Sequence, residues 1–221
     1  AQAGLAWALG RLPGSGLIDW SGVFHITATP FTDGGALDRD GLPRLVERAL
    51  ETGIAGFTVL GIAGEAHRLT DDERRQVIET VVKEARGRVP VAVGASASGT
   101  HLAAALARDS GAQALMLAPP NGVRNLDAVL AYYHAVADAT PLPIVLQDEP
   151  VTTGVLMPPD FIGRLVAEIP GIQAVKLEEA PNQGSLQAQQ ISAIRNCERS
   201  AGLAGDAQVR ISRQSGGGAS A

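Results

Sequence analysis

Short apolar runs alternate along the chain with segments in which apolar residues recur every three to four positions. Most of the runs consist almost continuously of Val, Ile, Leu and Ala, which is typical of strands buried on both faces of a parallel sheet. Their starts lie about 25 to 35 residues apart, the length of one strand and one helix. We predict strands at residues 23–31, 57–60, 89–95, 114–118, 143–146, 172–177 and, from a weaker pattern, 207–212.

The segments between these runs have the 3.6-residue period of amphipathic helices. In the first of them Leu42, Val46 and Ala49 share one face, and charged residues occupy the other. The second begins with Thr70 and has Glu73 three residues later, the spacing of a capping box that fixes where a helix starts. Two further apolar stripes predict a third and a fourth helix: Leu126, Val129, Leu130, Tyr133 and Ala137, then Phe161, Ile162, Leu165 and Val166.

Strands and helices that alternate at this spacing leave two architectures, a closed barrel and a doubly wound open sheet. The first predicted strand is not followed by Gly-x-Gly-x-x-Gly, the glycine pattern of dinucleotide-binding sheets. Units of similar length favour the barrel, which takes about 250 residues and eight strands when complete. We therefore predict an α/β fold, a (β/α)8 TIM barrel that is incomplete at the C-terminus, with about seven βα units. It occupies residues 21–213, between an N-terminal extension (1–20) and a low-complexity tail (214–221).

Composition narrows the classes of function. The chain has 221 residues and a net charge of −5, which argues against a nucleic-acid partner. No apolar run approaches the ~18 residues that span a bilayer, so we expect no membrane partner. The single cysteine, Cys197, excludes an intramolecular disulfide, and the first residues do not have the charged start and apolar core of a signal peptide. We therefore expect a cytoplasmic protein.

Lysine is rare in this chain, which makes its positions informative. Arginine supplies the basic residues everywhere except at Lys83 and Lys176. Lys176 lies inside the predicted strand 172–177, where burial of an ammonium is costly and favours the neutral amine, a nucleophile toward ketones. Arginine stays protonated and does not perform this chemistry. The alternative is a structural lysine that reaches water from the strand end or pairs with Glu178 or Glu179.

In a parallel barrel the chemistry takes place at the C-terminal ends of the strands. Thr29 lies at the end of the first predicted strand. The second is followed by a glycine-containing segment, the 61–65 turn, made of Gly61, Ile62, Ala63, Gly64 and Glu65. Its glycines let the backbone approach a ligand, and free N–H groups in such a turn suit a carboxylate. We expect Glu65 to be a buried hydrogen-bonding anchor rather than an exposed residue.

Four carboxylates follow two neighbouring predicted strands: Asp148, Glu149, Glu178 and Glu179. Oxygen ligands of this kind bind Mg²⁺, so a divalent-metal site is one interpretation. The other interpretation is a set of solvated strand-end charges, one of which pairs with Lys176, and we favour it. The four histidines do not show the spacing of metal ligands.

The chain resembles the dihydrodipicolinate synthase / N-acetylneuraminate lyase family. The resemblance lies in the segments GVFHITATPFTDGGALD, GFTVLGIAGEAHRLTDDER, RVPVAVGAS, ALMLAPP, LPIVLQDEPVTTGV and IPGIQAVKLEEA, which follow one another at the family's spacing. It implies a (β/α)8 barrel and a lyase or synthase of the class I aldolase type, whose small-molecule substrate is pyruvate or a related 2-keto acid. It also implies a Schiff base on Lys176, the absence of any cofactor or metal, and assembly as a homo-oligomer.

Several positions depart from the family's pattern. The family's Gly-Thr-Thr-Gly-Glu segment is the 61–65 turn here, so both hydroxyls are lost and only backbone N–H groups remain for the keto-acid carboxylate. Gln147 stands at the position of the proton-relaying tyrosine, and an amide is not a general acid or base near neutral pH. Thr152 replaces an arginine of the lysine-pathway members, and Asn121-Gly122 replaces a double tyrosine. These differences argue against dihydrodipicolinate synthesis proper.

The segment from Gln147 to Pro150 resembles instead the branch with 2-keto-3-deoxy sugar-acid dehydratases, which use the same lysine and eliminate water. A carboxylate near Lys176, Asp148 or Glu178, would then move the proton. The catalytic candidates are therefore Lys176, Gln147 and Asp148, and the substrate-binding candidates are Thr29, Glu178 and the 61–65 turn. A metal-dependent barrel and an inactive keto-acid-binding remnant are the alternatives.

Overall fold

A computed structural model of the chain describes residues 18–96 and 111–178, and the backbone of residues 210–213. The chain divides into two compact units. The first contains residues 1–93 and 110–113, and the second contains residues 94–109 and 114–221. Each unit is built from parallel strands and the helices between them.

The first unit contains strands β1 (Phe24–Ile26) and β2 (Gly56–Val59) and helices α1 (Gly41–Glu51) and α2 (Asp71–Ala85). It also contains strand β3 (Val91–Gly94) except for its last residue. Both strand pairs, β1–β2 and β2–β3, are parallel. Helices α1 and α2 pack against each other, and the Glu47 carboxylate of α1 accepts from Arg88, just after α2, at 2.7 Å. The capping box predicted for α2 is confirmed, since Thr70 and Glu73 each accept from the other's backbone N–H.

The second unit contains strands β4 (Ala114–Leu117), β5 (Ile144–Asp148), β6 (Ile172–Leu177) and β7 (Arg210–Arg213). Helix α3 (Leu126–Ala139) joins β4 to β5, and helices α4 (Pro150–Thr153) and α5 (Pro159–Glu168) lie between β5 and β6. Each strand pairs in parallel with the next one along the chain. One face of this sheet is covered by α3 and α5, whose buried residues form an apolar cluster with the strands that includes Tyr133, Ile162, Leu146 and Val175.

A bulge in β6 decides which of its side chains enter this cluster. Ile144 pairs with Ile172, but the next residue, Val145, pairs with Ala174, so Gln173 is an extra residue in β6. In a regular strand Ile172 and Lys176 would lie on the same face, because alternate residues do. The bulge instead leaves Ile172 in the apolar cluster while Lys176 lies opposite Gln147 on the other face of the sheet.

The strand and helix predictions are confirmed in type and order within the described residues, although most strand boundaries differ from the predicted ones, and two of these differences have a clear structural cause. The first predicted strand, 23–31, is paired only over Phe24–Ile26, because the chain then turns and Phe31 forms an antiparallel bridge with Leu37. The fifth, predicted to end at residue 146, continues to Asp148 in the ladder with β6. Within each unit every strand pairs in parallel with the next one along the chain, whereas a doubly wound sheet reverses its strand order. The predicted α/β fold of the (β/α)8 barrel type is therefore confirmed.

The predicted extension and tail fall almost wholly outside the described residues, so the domain boundaries stay predictions. Of the helices in the described part of the chain, none has the length and apolar character needed to cross a membrane.

Candidate active site

Lys176 lies near the C-terminal end of β6, on the face of the sheet away from the apolar cluster. Its side chain is only 19% exposed, and its Nζ donates to Oε1 of Glu178 at 2.5 Å. Glu178 follows two residues later in extended chain, which is the spacing that brings two side chains to the same side of a strand. The lysine is thus held beside a carboxylate and largely shielded from water.

Glu178 joins the lysine to the neighbouring strand. Its second oxygen, Oε2, accepts a hydrogen bond from Nε2 of Gln147. Gln147 stands opposite Lys176 in the β5–β6 register and is buried. The backbone N–H of Glu178 donates to the carbonyl of Asp148 at 2.9 Å, which extends the ladder by one step and fixes the residue at the strand end. Both carboxylate oxygens are therefore occupied.

Charge and burial explain why these three side chains lie together. The Glu178 side chain is 9% exposed, so both charges of the pair have lost most of their water. That loss is costly, and it is offset only when the charges attract at close range and their remaining hydrogen-bonding capacity is used. The Gln147 amide supplies one such hydrogen bond without adding charge. The pairing expected of a structural lysine is present, and it leaves a proton acceptor directly at the amine.

Asp148, the other carboxylate expected near the lysine, faces away from it. It pairs with Leu177 in the register, so it lies on the opposite face of the sheet from Gln147 and Lys176. It is close enough to Tyr133 to contribute to the raised pKa of that phenol, whose first cause is burial. The Tyr133 hydroxyl donates to the carbonyl of Leu117 at 2.9 Å. The geometry therefore favours Glu178 over Asp148 as the carboxylate that serves Lys176.

Glu149 has a local structural role. Its carboxylate accepts from the backbone N–H of Thr152 at 2.9 Å and its carbonyl accepts from the Thr153 hydroxyl at 2.7 Å, so it begins the short helix α4. Two of the four carboxylates considered for a metal site, Glu149 and Glu178, thus bind different partners. Asp148 lies on the opposite face of the sheet from Lys176, and Glu179 lies outside the described residues. Within residues 18–96 and 111–178, no group of three or more His, Cys, Asp or Glu residues is placed to hold a metal ion.

In the first unit, the 61–65 turn is a short 3-10 helix (Ile62–Gly64) followed by a second one (Ala66–Arg68). The N–H groups of Gly64 and Glu65 bond to the carbonyls of Gly61 and Ile62, each at 3.0 Å. Those two N–H groups are therefore used inside the turn. The first residues of a helix have backbone N–H groups that no carbonyl within the helix accepts. In this turn these are the N–H groups of Ile62 and Ala63.

Thr29 braces this turn from the segment that follows β1. It is buried, and its Oγ1 donates to the Gly64 carbonyl at 2.6 Å. Gly64 itself lies so close to the end of β1 that a Cβ atom on it would be 3.0 Å from the Thr27 carbonyl oxygen. Thr29 thus acts through the backbone of the turn in this structure, and the absence of a side chain at Gly64 permits the close approach.

The expectation of a buried Glu65 is wrong. Its side chain is 42% exposed and pairs with Nε of Arg68 at 3.1 Å. Glu65 has a φ of 50°, in the left-handed region, where the chain passes from one 3-10 helix to the next. This backbone conformation directs the carboxylate along the surface toward Arg68 rather than into the unit.

Lys176, Gln147 and Glu178 are brought together within the second unit, while Thr29 and the 61–65 turn belong to the first. The sequence named all of these residues but missed the hydrogen bond between Gln147 and Glu178. The spacing of Lys176 and Glu178 was a usable signal, because residues two apart in a strand share a face. The position of Gln147 opposite Lys176 depends on the register and the bulge, which the apolar pattern does not show.

Comparison with known proteins gives a consistent result. A family model described as the dihydrodipicolinate synthetase family matches residues 19–220. The chain is 38% identical over 172 residues to 4-hydroxy-tetrahydrodipicolinate synthase from Stenotrophomonas maltophilia, covering 76% of this chain and 57% of that protein. It is 40% identical over 159 residues to the synthase of the same name from Methanothrix thermoacetophila, covering 70% and 53%.

Solved structures agree with the sequence comparison. Dihydrodipicolinate synthase from Rhodopseudomonas palustris is 33% identical with a TM-score of 0.76, and the match covers 87% of this chain and 63% of that one. The synthase from Thermotoga maritima is 26% identical, also with a TM-score of 0.76 and the same coverage. The chain therefore spans somewhat more than half the length of the relatives that it matches.

Proposed function

Because the chain belongs to the dihydrodipicolinate synthetase family, we propose that it acts as a lyase or synthase that forms a Schiff base with pyruvate or a related 2-keto acid. The observation that carries the proposal is the environment of Lys176, an amine that is four-fifths shielded from water and in contact with the Glu178 carboxylate. The amine must lose a proton before it attacks a ketone, and the carboxylate in contact with it provides the acceptor for that proton.

In this mechanism the Lys176 amine attacks the ketone carbon of the keto acid and water leaves, which produces an imine. The protonated imine withdraws electrons from the neighbouring carbon. A carbon–carbon bond to that atom can then be made or broken, so one intermediate serves both condensation and cleavage. No metal or organic cofactor is needed for these steps, because the imine itself is the electron sink.

We assign the substrate carboxylate to the 61–65 turn, following the position of the corresponding segment in the family. The support is that the backbone N–H groups of Ile62 and Ala63 open a helical turn, and such groups suit an anion. Thr29 stabilises the turn through the Gly64 carbonyl. Glu65 contributes its backbone to the turn, and its side chain pairs with Arg68 at the surface.

A second candidate is the dehydration of a 2-keto-3-deoxy sugar acid on the same lysine. The contact between Glu178 and Lys176 favours it, because elimination of water requires a base beside the imine to remove a proton from the adjacent carbon. Gln147, at the position of the family's tyrosine, does not provide that base. The two candidates share the imine and differ in the bond that breaks next.

Borohydride trapping tests the shared step. The protein is incubated with pyruvate, reduced, digested and mapped by mass spectrometry. We expect a reduced pyruvate adduct on the peptide containing Lys176 and none on that containing Lys83, which is exposed on α2. Lys83→Arg should leave the adduct unchanged, whereas Lys176→Arg should abolish it. A folded wild-type protein that forms no adduct on Lys176 would overturn the proposal.

Product analysis separates the two candidates. Pyruvate with an aldehyde partner tests condensation and cleavage, and 2-keto-3-deoxy sugar acids test release of water. Binding of pyruvate detected by thermal stabilisation without an adduct would favour the inactive keto-acid-binding remnant. Assembly as a homo-oligomer, a cytoplasmic location and the absence of a nucleic-acid partner remain predictions. Among the similar solved structures, one dihydrodipicolinate synthase is described as a monomeric variant.

A further inference from the structure

We infer that Glu178 is the proton-transfer group for imine formation in this protein, and that Gln147 is the residue that positions it; the inference rests on the proposed Schiff-base function. Neither role follows from the family position alone, since a glutamine stands where the family has its proton-relaying tyrosine. The three side chains form a single chain of contacts, from the Lys176 amine through the Glu178 carboxylate to the Gln147 amide.

The first step of the argument is distance. The Glu178 Oε1 atom lies 2.5 Å from the Lys176 Nζ atom, within direct reach of its proton. Asp148 lies on the opposite face of the sheet, and Glu149 is engaged at the start of α4. Within residues 18–96 and 111–178, Glu178 is the carboxylate that forms an ion pair with this lysine.

The second step is orientation. A carboxylate bound through one oxygen can rotate about its last bond, but Gln147 binds the other oxygen of Glu178. Gln147 is 5% exposed and lies in the ladder between β5 and β6, so its amide is a fixed donor. The amide holds the carboxylate plane with Oε1 toward the lysine. An amide neither takes nor releases a proton near neutral pH, so Gln147 is a positioning residue.

The third step is chemical balance. Glu178 takes a proton from the Lys176 ammonium, and the freed amine attacks the C2 carbonyl carbon of the keto acid. A proton then moves from nitrogen to oxygen to give a carbinolamine. Glu178 returns its proton to the carbinolamine hydroxyl, which leaves as water, and the carbon–nitrogen bond becomes a protonated imine. Glu178 ends ionised as it began, and no further reactant is consumed.

A purely structural ion pair would show the same contacts, so the test must detect proton transfer itself. Glu178→Ala removes the carboxylate and leaves space for a small acid. Reduced adduct is measured against time after pyruvate is added, with sodium formate as the added carboxylate and sodium chloride at equal ionic strength as its control. We expect imine formation to slow by about 100-fold or more. Formate should accelerate it in proportion to concentration, and chloride should not.

Matched variants separate this role from a loss of structure. Glu178→Asp keeps an acid and should retain part of the rate, whereas Glu178→Gln keeps the shape and should be slow. Glu168→Gln breaks a surface ion pair with Arg164 on α5 by the same chemical change, and it should behave as wild type. Gln147→Met should lower the maximal rate of trapping while the pyruvate concentration for half-maximal rate changes little.

The outcomes distinguish this inference from the proposed function. An adduct in wild type with a normal trapping rate in Glu178→Gln would overturn the role of Glu178 and leave the Schiff base intact. A slow Glu178→Ala variant that formate does not accelerate would also overturn it. The absence of any adduct in wild type would instead remove the proposed function. If Glu178→Ala does not fold by circular dichroism, the comparison of Glu178→Gln with Glu178→Asp decides.

Discussion

Gln147 and Lys176 face each other across two parallel strands and bind the two oxygens of one carboxylate, that of Glu178. The neutral amide and the charged amine thus share a single acceptor. Both residues lie in the β5–β6 ladder, whose register sets the positions of their backbones relative to each other. A site held in this way keeps its geometry before substrate arrives, which is the condition for efficient proton transfer.

Removal of the lysine charge should destabilise the protein. Lys176→Met keeps the length of the apolar stem but leaves the Glu178 carboxylate shielded and without its cation. We expect the free energy of unfolding to fall by about 2 kcal/mol, because a buried charge whose partner is removed is costly and this pair keeps some contact with water. Urea denaturation of the wild type and the variant measures the difference.

The double variant tests whether the pair is the cause. In Lys176→Met/Glu178→Gln both charges are absent, and most of the lost stability should return although imine formation remains abolished. The coupling is the departure from additivity in the double-mutant cycle. The cycle also requires Glu178→Gln alone, and effects of the two single changes that add up to that of the double variant would show that the two side chains do not interact energetically.

Gly64→Ala tests the close approach of the 61–65 turn to the end of β1. The added Cβ would be 3.0 Å from the Thr27 carbonyl oxygen, so the turn must shift. We expect a loss of about 1 kcal/mol in unfolding free energy, the lower end for overpacking, and a higher pyruvate concentration for half-maximal trapping. Calorimetry and trapping at varied pyruvate measure the two effects.

Gly34→Ala is the matched control for that change. A Cβ at Gly34, in the same unit, would meet only the Thr32 hydroxyl oxygen at 3.8 Å, an ordinary contact. It should leave pyruvate binding unaltered. If Gly64→Ala binds pyruvate as the wild type does, the 61–65 turn does not bind the substrate carboxylate.

Chelation separates imine chemistry from the metal-dependent alternative. Formation of the Lys176 adduct needs no metal, so EDTA should leave the rate and extent of trapping unchanged. Turnover with the true second substrate should be equally insensitive. Loss of turnover with EDTA and its recovery on addition of Mg²⁺ would favour a metal site among Asp148, Glu149 and Glu178, despite the separate partners that Glu149 and Glu178 have in this structure.

The sequence predicted those features that depend on local pattern. The apolar run 172–177 coincides with β6, and the Thr70–Glu73 spacing correctly gave the start of α2. Lys176 could be selected because a lysine inside an apolar strand has few structural explanations. The exposure of Glu65 could not be predicted from the sequence. It follows from the left-handed backbone conformation of Glu65, and the glycines on either side of the turn do not indicate that Glu65 adopts it.

The hydrogen bond between Gln147 and Glu178 could not be predicted from the sequence for a different reason. Periodicity gives the two faces of a strand but not which residues of a neighbouring strand lie opposite. A regular β6 would place Ile172 and Lys176 on one face, which contradicts their apolar and charged character. The contradiction is a sign of an irregular strand, yet its position becomes clear only when the register with β5 is known.

Deletion of Gln173 therefore tests the origin of the site. Without the extra residue β6 becomes regular, and Ile172 and Lys176 are then three positions apart, which keeps them on opposite faces. Each residue of β6 would pair with the residue of β5 that it pairs with now, so Ile172 stays in the apolar cluster and Lys176 stays opposite Gln147. We therefore expect the deletion variant to form the Lys176 adduct and to lose at most about 1 kcal/mol in unfolding free energy. Gln173→Ala keeps the bulge and should preserve stability and trapping within error. A folded deletion variant without the adduct would show that Gln173 does more than add one residue between Ile172 and Lys176.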